Sequence, residues 1–238
     1  MDAKESSIPV SPEDSKVVEG ERLGSLIKVK PEYRERYIAL HAHPFPEVLN
    51  QLHKSNVRNY SIFLRDGLLF SFQEYNGSDF DRDMEKVEDN SAVQDWWTLT
   101  DPMQEPLEDY DSGEWWTSME EVYHGGRKTM PSSETTRRAY LSRLQPGARD
   151  KARGIYANAA TLLTQTLKDL GVQNYVVYVL GHRLCTYFEH TGDDASVERL
   201  EESSAMQEVS QALSPLLVDG SATIGYSSFP MRSVFYMP

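Results

Sequence analysis

The strongest constraint on the fold of this 238-residue chain is an internal repeat. The segment 57–64 (VRNYSIFL) recurs as 172–179 (VQNYVVYV), at an offset of 115 residues. A second block, 85–103, recurs as 198–216 at an offset of 113 residues. Because a repeat of this kind reuses one supersecondary unit, the chain is expected to fold as two similar units.

Each half carries the pattern of a β-α-β-β-α-β unit. In the first half, apolar runs and alternation predict strands at 23–29, 57–64, 68–75 and 119–123, with helices between them. The dipeptide Asp66-Gly67 predicts a tight hairpin turn. The second half repeats this order, which is that of the ferredoxin-like unit.

A single unit of this kind leaves one face of its sheet without helices, and that face must be covered. Two copies in one chain can cover each other face to face. The predicted fold is therefore α+β, with two tandem ferredoxin-like (βαββαβ) units packed as an intramolecular dimeric α+β barrel. The predicted divisions are a disordered tail (1–20), a first domain (21–124), a linker (125–136) and a degenerate second domain (137–238).

The composition limits the classes of partner. Asp and Glu number 37 against 24 Lys and Arg, so the net charge is −13 and the chain repels phosphate backbones and anionic membrane surfaces. The single cysteine, Cys185, allows no intrachain disulfide and is interpreted as a core residue. Without a long apolar run or an apolar signal segment, the sequence predicts a cytoplasmic protein that neither binds nucleic acid nor spans a membrane.

The first half keeps polar and aromatic residues that the second half has lost. They are, with their second-half counterparts, Tyr37 (Ala152), His41 (Tyr156), Trp96 (Val209) and Trp97 (Ser210). Tyr37 and His41 are four residues apart on a predicted helix and therefore share a face. Adjacent tryptophans point about 100° apart on a helix, so at least one of them is expected to line a cavity or an interface.

These residues also have structural interpretations. A lone helical histidine is more often structural than catalytic, and a strand tyrosine such as Tyr60 is usually a core residue. A second pair, Trp115-Trp116, flanks an acidic loop and is interpreted as a lid or an interface contact. The sequence contains no metal-ligand spacing, P-loop, dinucleotide fingerprint or nucleophile elbow.

Taken together, five short motifs resemble the L-rhamnose mutarotase family over residues 23–124. They are Tyr37-x-x-x-His41, Pro46-Glu47, Asn59-Tyr60, Trp96-Trp97 and Glu121-Val122-Tyr123. The resemblance implies interconversion of the α and β anomers of L-rhamnose without a cofactor or metal. It implies that His41 is the proton donor, and that the sugar is contacted by Tyr37, Tyr60, Trp96 and Trp97.

The chain departs from the family in three respects. His43 replaces a family proline, Phe45 stands at a usual tryptophan, and the second copy lacks the motif. Members of the family usually pair two identical chains, whereas this chain is expected to be a monomeric pseudo-dimer or a weak homo-oligomer. The first two departures leave the identity of the sugar open.

Mutarotation is a reaction that a site with few polar residues can catalyse. Mutarotation needs one proton removed from the C1 hydroxyl and one delivered to the ring oxygen, and a histidine that titrates near neutrality can do both. One positioned acid/base contributes about 10²–10⁴-fold to such a step. Two other classes remain: a non-catalytic sugar-binding or structural protein, and a cofactor-free or haem-related enzyme on the same barrel.

Overall fold

The computed structural model describes residues 20–110, 113–126, 135–191, 194–218 and 230–238. The predicted disordered tail, apart from its last residue, and most of the predicted linker lie outside these ranges. The strands are β1 (Glu21–Val29), β2 (Val57–Arg65), β3 (Leu68–Tyr75), β4 (Gln104–Glu105), β5 (Thr117–Ser118), β6 (Glu120–Gly125), β7 (Thr135–Arg143), β8 (Val172–Leu180), β9 (Arg183–Thr191) and β10 (Arg232–Met237). The α-helices are α1 (Arg34–His41), α2 (Pro46–Lys54), α3 (Phe80–Glu88), α4 (Ser91–Thr100), α5 (Arg149–Asp169), α6 (Asp194–Glu202) and α7 (Ser204–Leu213).

The strands form two antiparallel sheets, so the predicted mixed α+β class is confirmed. One sheet has the order β10-β2-β3-β1-β4, with β5 also paired to β1, and the other has the order β6-β8-β9-β7. The predicted hairpin turn is present: Asp66 and Gly67 join β2 to β3 with φ values of 49° and 79°, the positive angles that a two-residue turn needs. None of the helices in the described ranges is long and apolar enough to cross a membrane.

The last strand of each half pairs in the sheet of the other half. β6 of the first half lies beside β8, and β10 of the second half lies beside β2. The expectation that the strand at 119–123 would complete a sheet within its own half is therefore wrong. The chain first pairs β5 with β1, and then crosses to the other sheet at Met119, whose amide still bonds to Gly24 O at 2.9 Å. Alternation in a strand predicts which residues are buried but does not identify the neighbouring strand.

The two sheets face each other across an apolar core. Side chains from both sheets share one cluster, which includes Leu26, Phe63, Phe70, Phe72, Val176, Tyr178, Cys185 and Tyr187. The rings of Phe72 and Tyr187 stack with their centroids 3.9 Å apart. Gly24 lets β1 approach the second sheet, since a Cβ there would lie 2.9 Å from the Tyr178 ring. Cys185 lies in this core, as expected, and burial raises the pKa of its thiol.

A buried polar network also joins the halves. The Asn59 amide donates to Glu189 across the interface, and the equivalent Asn174 amide donates to Glu74. Both asparagines adopt positive φ, 48° and 50°, a conformation that asparagine tolerates better than most residues. Asn59, which belongs to one of the family-like motifs, therefore makes contacts between the two halves.

The main difference between the halves lies in their first helical segment. In the first half Pro44 and Pro46 end α1 and start α2, because proline lacks an amide and restricts the residue before it. The equivalent positions of the second half are Ala159 and Thr161, and α5 runs through them without a break. The break places His41 at the end of α1.

Candidate functional site

His41 lies at the last turn of α1, stacked on the ring of Tyr37 with the ring centroids 3.9 Å apart. Its Nδ1 is 2.9 Å from the backbone oxygen of Tyr37, and only 7% of the residue is exposed. A carbonyl oxygen only accepts hydrogen bonds, so Nδ1 carries the proton and donates it. The other nitrogen, Nε2, therefore holds the lone pair that can accept a proton from a ligand.

Aromatic side chains from separate elements surround this imidazole. The ring of Trp96, from α4, is nearly perpendicular to that of His41, with the ring centroids 5.2 Å apart. The ring of Phe235, from β10 of the second half, has its centroid 6.0 Å from that of His41. Phe45, in the break between α1 and α2, packs against Trp96 at 5.2 Å. The imidazole therefore lies among aromatic rings, the kind of surface on which the C–H face of a sugar packs.

The other two predicted contact residues have different surroundings. Tyr60, on β2, packs edge-on against Phe235, with the ring centroids 5.3 Å apart. Burial, and to a smaller extent the nearby Tyr60, raise the pKa of Tyr37. Trp97 is half-buried and packs against the cluster of Val48, Val87, Val93 and Trp96. The structure therefore brings Tyr37, Trp96 and Phe235 against His41, and Tyr60 against Phe235, while Trp97 packs on the neighbouring cluster.

Burial sets the protonation states of the site. It lowers the pKa of His41 to about 4, against the weaker opposing effect of the hydrogen bond to Tyr37 O. Burial also raises the pKa of Tyr60 to about 12 and that of Tyr37 well above its ordinary value. The expectation that His41 titrates near neutrality is therefore wrong. At neutral pH the imidazole is an uncharged acceptor and both phenols keep their protons.

The low pKa of His41 predicts a loss of stability in mild acid. Between pH 6.5 and 4 the unfolded chain takes up a proton at this residue and the folded chain does not, so the free energy of unfolding falls by about 3 kcal/mol. Above pH 6.5 the His41 imidazole is neutral in both the folded and the unfolded chain, and below pH 4 it is charged in both. Urea unfolding at pH 7 and pH 4 should show a smaller loss for His41→Gln than for the wild type. Equal losses would contradict the assigned burial.

The sequence motifs did not identify Phe235, which lies beside His41, or Gln104, which bonds to the Tyr37 hydroxyl. Phe235 pairs with Ile62, and Tyr123 pairs with Val177, the residue equivalent to Ile62. Residues 121–125 (EVYHG) and 233–237 (SVFYM) are therefore a third block of the repeat, at an offset of 112. That offset is the signal which would have identified the strand facing His41.

The equivalent place in the second half is a packed core. Tyr156 stacks on Tyr123 at 5.8 Å and is buried, as are Ala152 and Val209. Burial raises the pKa of the Tyr156 hydroxyl, so it neither gives nor takes a proton at neutral pH. The hydroxyl of Tyr123 bonds to Thr164 Oγ1 at 2.9 Å. At this place the described residues of the second half present no equivalent of the His41 acceptor. In the described residues no group of three or more His, Cys, Asp or Glu side chains is placed to hold a metal ion.

Comparison with known proteins gives a family match for the first half of the chain. Residues 22–125 match the sequence model described as L-rhamnose mutarotase. An L-rhamnose mutarotase of Lactiplantibacillus plantarum is 28% identical over 105 residues, which cover 43% of this chain and 96% of that protein. The resemblance carried by the first-half motifs is thereby confirmed.

Two solved structures resemble nearly the whole chain. They are putative monooxygenases of Fusobacterium nucleatum subsp. nucleatum and Lactobacillus acidophilus, with TM-scores of 0.56 and 0.55 and identities of 11% and 7%. The matches cover 91% and 90% of this chain, and 93% and 95% of those chains. At such identities the likeness shows the fold alone.

Proposed function

We propose that this protein, whose residues 22–125 match L-rhamnose mutarotases, interconverts the α and β anomers of L-rhamnose or a similar 6-deoxy sugar. The observation that carries the proposal is the state of His41. It is an uncharged base, oriented by Tyr37 O, beside phenols that keep their protons and among rings that suit a sugar. Ring opening of a hemiacetal needs this combination of acceptor and donor.

The proposed reaction divides the proton transfers between these groups. His41 Nε2 accepts the proton of the C1 hydroxyl while the bond between C1 and the ring oxygen breaks, which leaves an aldehyde. The Tyr37 hydroxyl donates a hydrogen bond to the departing ring oxygen and stabilises its developing negative charge. The imidazolium then returns the proton to that oxygen, readily because burial disfavours its charged form. C1 rotates, and the same steps in reverse close the ring on the other face.

The second half is proposed to act as the intramolecular counterpart of a second subunit. It covers the sheet of the first half and supplies Phe235 to the site, while its own equivalent of the site is filled. The proposed divisions are a first domain at 21–124 and a degenerate second domain at 137–238, with β6 and β10 exchanged between them. On this proposal a single chain carries one complete site.

Saturation-transfer NMR on a panel of reducing sugars tests the activity. Irradiating the H1 signal of one L-rhamnose anomer should diminish the signal of the other, at a rate that rises in proportion to protein concentration. Sugar at about 10 mM exceeds typical Michaelis constants. Ligand-dependent tryptophan emission without anomer exchange would instead indicate a sugar-binding protein. Unchanged emission and exchange with every sugar would reject the proposed function.

A further inference from the structure

Gln104, the first residue of β4, links the Tyr37 hydroxyl to the Trp115 indole. Only 4% of Gln104 is exposed. Its Nε2 lies 3.3 Å from Tyr37 Oη, and its Oε1 lies 3.4 Å from Trp115 Nε1. Trp115 is 44% exposed, so the link runs from the surface to the residue stacked on His41.

The chemistry of the three groups fixes the direction of this link. An indole N–H only donates, so it must face the amide oxygen of Gln104. The amide nitrogen consequently faces Tyr37, and it too only donates. The Tyr37 oxygen is therefore the acceptor in this hydrogen bond, and its own proton remains available to another acceptor.

We propose that Gln104 is a positioning residue, which makes the Tyr37 hydroxyl the hydrogen-bond donor to the sugar ring oxygen, and that Trp115 fixes the direction of the Gln104 amide. This inference rests on the proposed function and adds two residues to it. Tyr37 can form two alternative hydrogen bonds through its oxygen, as donor or as acceptor. With the amide donating to that oxygen, the donor role toward the ligand is set before the sugar binds.

Comparison with the second half indicates that Gln104 is present for its polar atoms and not for packing. Gln104 pairs with Val29, and the equivalent residues Leu217 and Leu144 form the same bridge in the second half. A leucine therefore fits this position in the fold, and the amide is present only in the half that keeps Tyr37 and His41. A buried amide gains little over an apolar side chain unless its polar atoms are used.

Two substitutions of Gln104, each made in the wild type and in Tyr37→Phe, test this role. Gln104→Glu retains an acceptor for Trp115 but accepts the Tyr37 proton, so kcat for anomer exchange should fall about 10-fold or more. Gln104→Leu, which introduces the leucine found in the second half, should lower kcat less. It removes the hydrogen bond to the Tyr37 oxygen but does not turn the Tyr37 proton away from the sugar. In Tyr37→Phe, both substitutions should change kcat by less than about twofold, since the group they act on is gone.

The outcomes separate this inference from the function on which it rests. Equal effects of the Gln104 substitutions with and without the Tyr37 hydroxyl would show a merely structural role and overturn the inference alone. The side-chain amide signals of Gln104 in a ¹⁵N spectrum of the free protein should also move in both Tyr37→Phe and Trp115→Phe. Unmoved signals would overturn the link even in an active enzyme. A wild type that exchanges no sugar would overturn the proposed function and the inference together.

Discussion

His41→Gln is expected to lower protein-dependent anomer exchange by about 10²–10⁴-fold. The substitution keeps a polar side chain that can donate to Tyr37 O, but an amide has no basic lone pair to take the place of Nε2. The rate is measured by saturation transfer at neutral pH, after subtraction of the spontaneous exchange of the sugar. Alanine is a poorer choice, because His41 is buried against three aromatic rings and its removal leaves a cavity.

The matched control is Tyr156→Phe at the equivalent position of the second half. Tyr156 is buried, like His41, but packs on Tyr123 in the core of the second half, so the variant should exchange anomers at the wild-type rate. The thermal unfolding of both variants is compared to confirm that each is folded. A folded His41→Gln protein that retains full activity would remove His41 from the mechanism.

Deletion of residues 232–238 is expected to reduce exchange to the uncatalysed background and to make the protein self-associate. The deletion removes β10, which exposes the backbone of β2 as an unpaired edge. It also removes Phe235 from beside His41 and Tyr60. Size-exclusion chromatography and saturation transfer on the same sample provide the two measurements. A monomeric, fully active truncated protein would show that the second half does not complete the site.

A pair of point substitutions isolates the contribution of the exchanged strand. Phe235→Leu should lower exchange about 10-fold, because the wall beside His41 is reshaped and the sugar is held less accurately. Tyr123→Leu, the same position in the other strand, should leave exchange within about twofold of the wild type. If each half kept its own last strand, the two results would be reversed.

Local signals in the sequence predicted the elements of the fold well. The Asp66-Gly67 turn was predicted from its dipeptide and is present. The helix break at Pro44 and Pro46 and the cap of α4 at Asn90 likewise depend on a few neighbouring residues. Asn90 caps that helix, since its side chain accepts hydrogen bonds from two backbone amides of the first turn. The proximity of Tyr37 and His41 followed from helical spacing in the same way.

The remaining features depend on contacts between distant parts of the chain. The pKa of His41 is lowered by burial, and helical spacing around His41 does not reveal the contacts with Trp96 and Phe235. The partner of β6 is β8 of the second half, which the alternation within β6 does not identify. The role assigned to Gln104 depends on Trp115, which approaches it through a loop.

The exchange of strands also changes what a mutation in this protein can affect. When two identical chains exchange a strand, both exchanged strands have the same sequence. One mutation therefore changes the strand at both sites. In this chain Phe235 faces His41 and Tyr123 faces Tyr156, so the two strand positions are encoded separately. The surroundings of His41 can therefore be altered through the half that has tyrosine at the equivalent position, without any change to the sequence that carries His41.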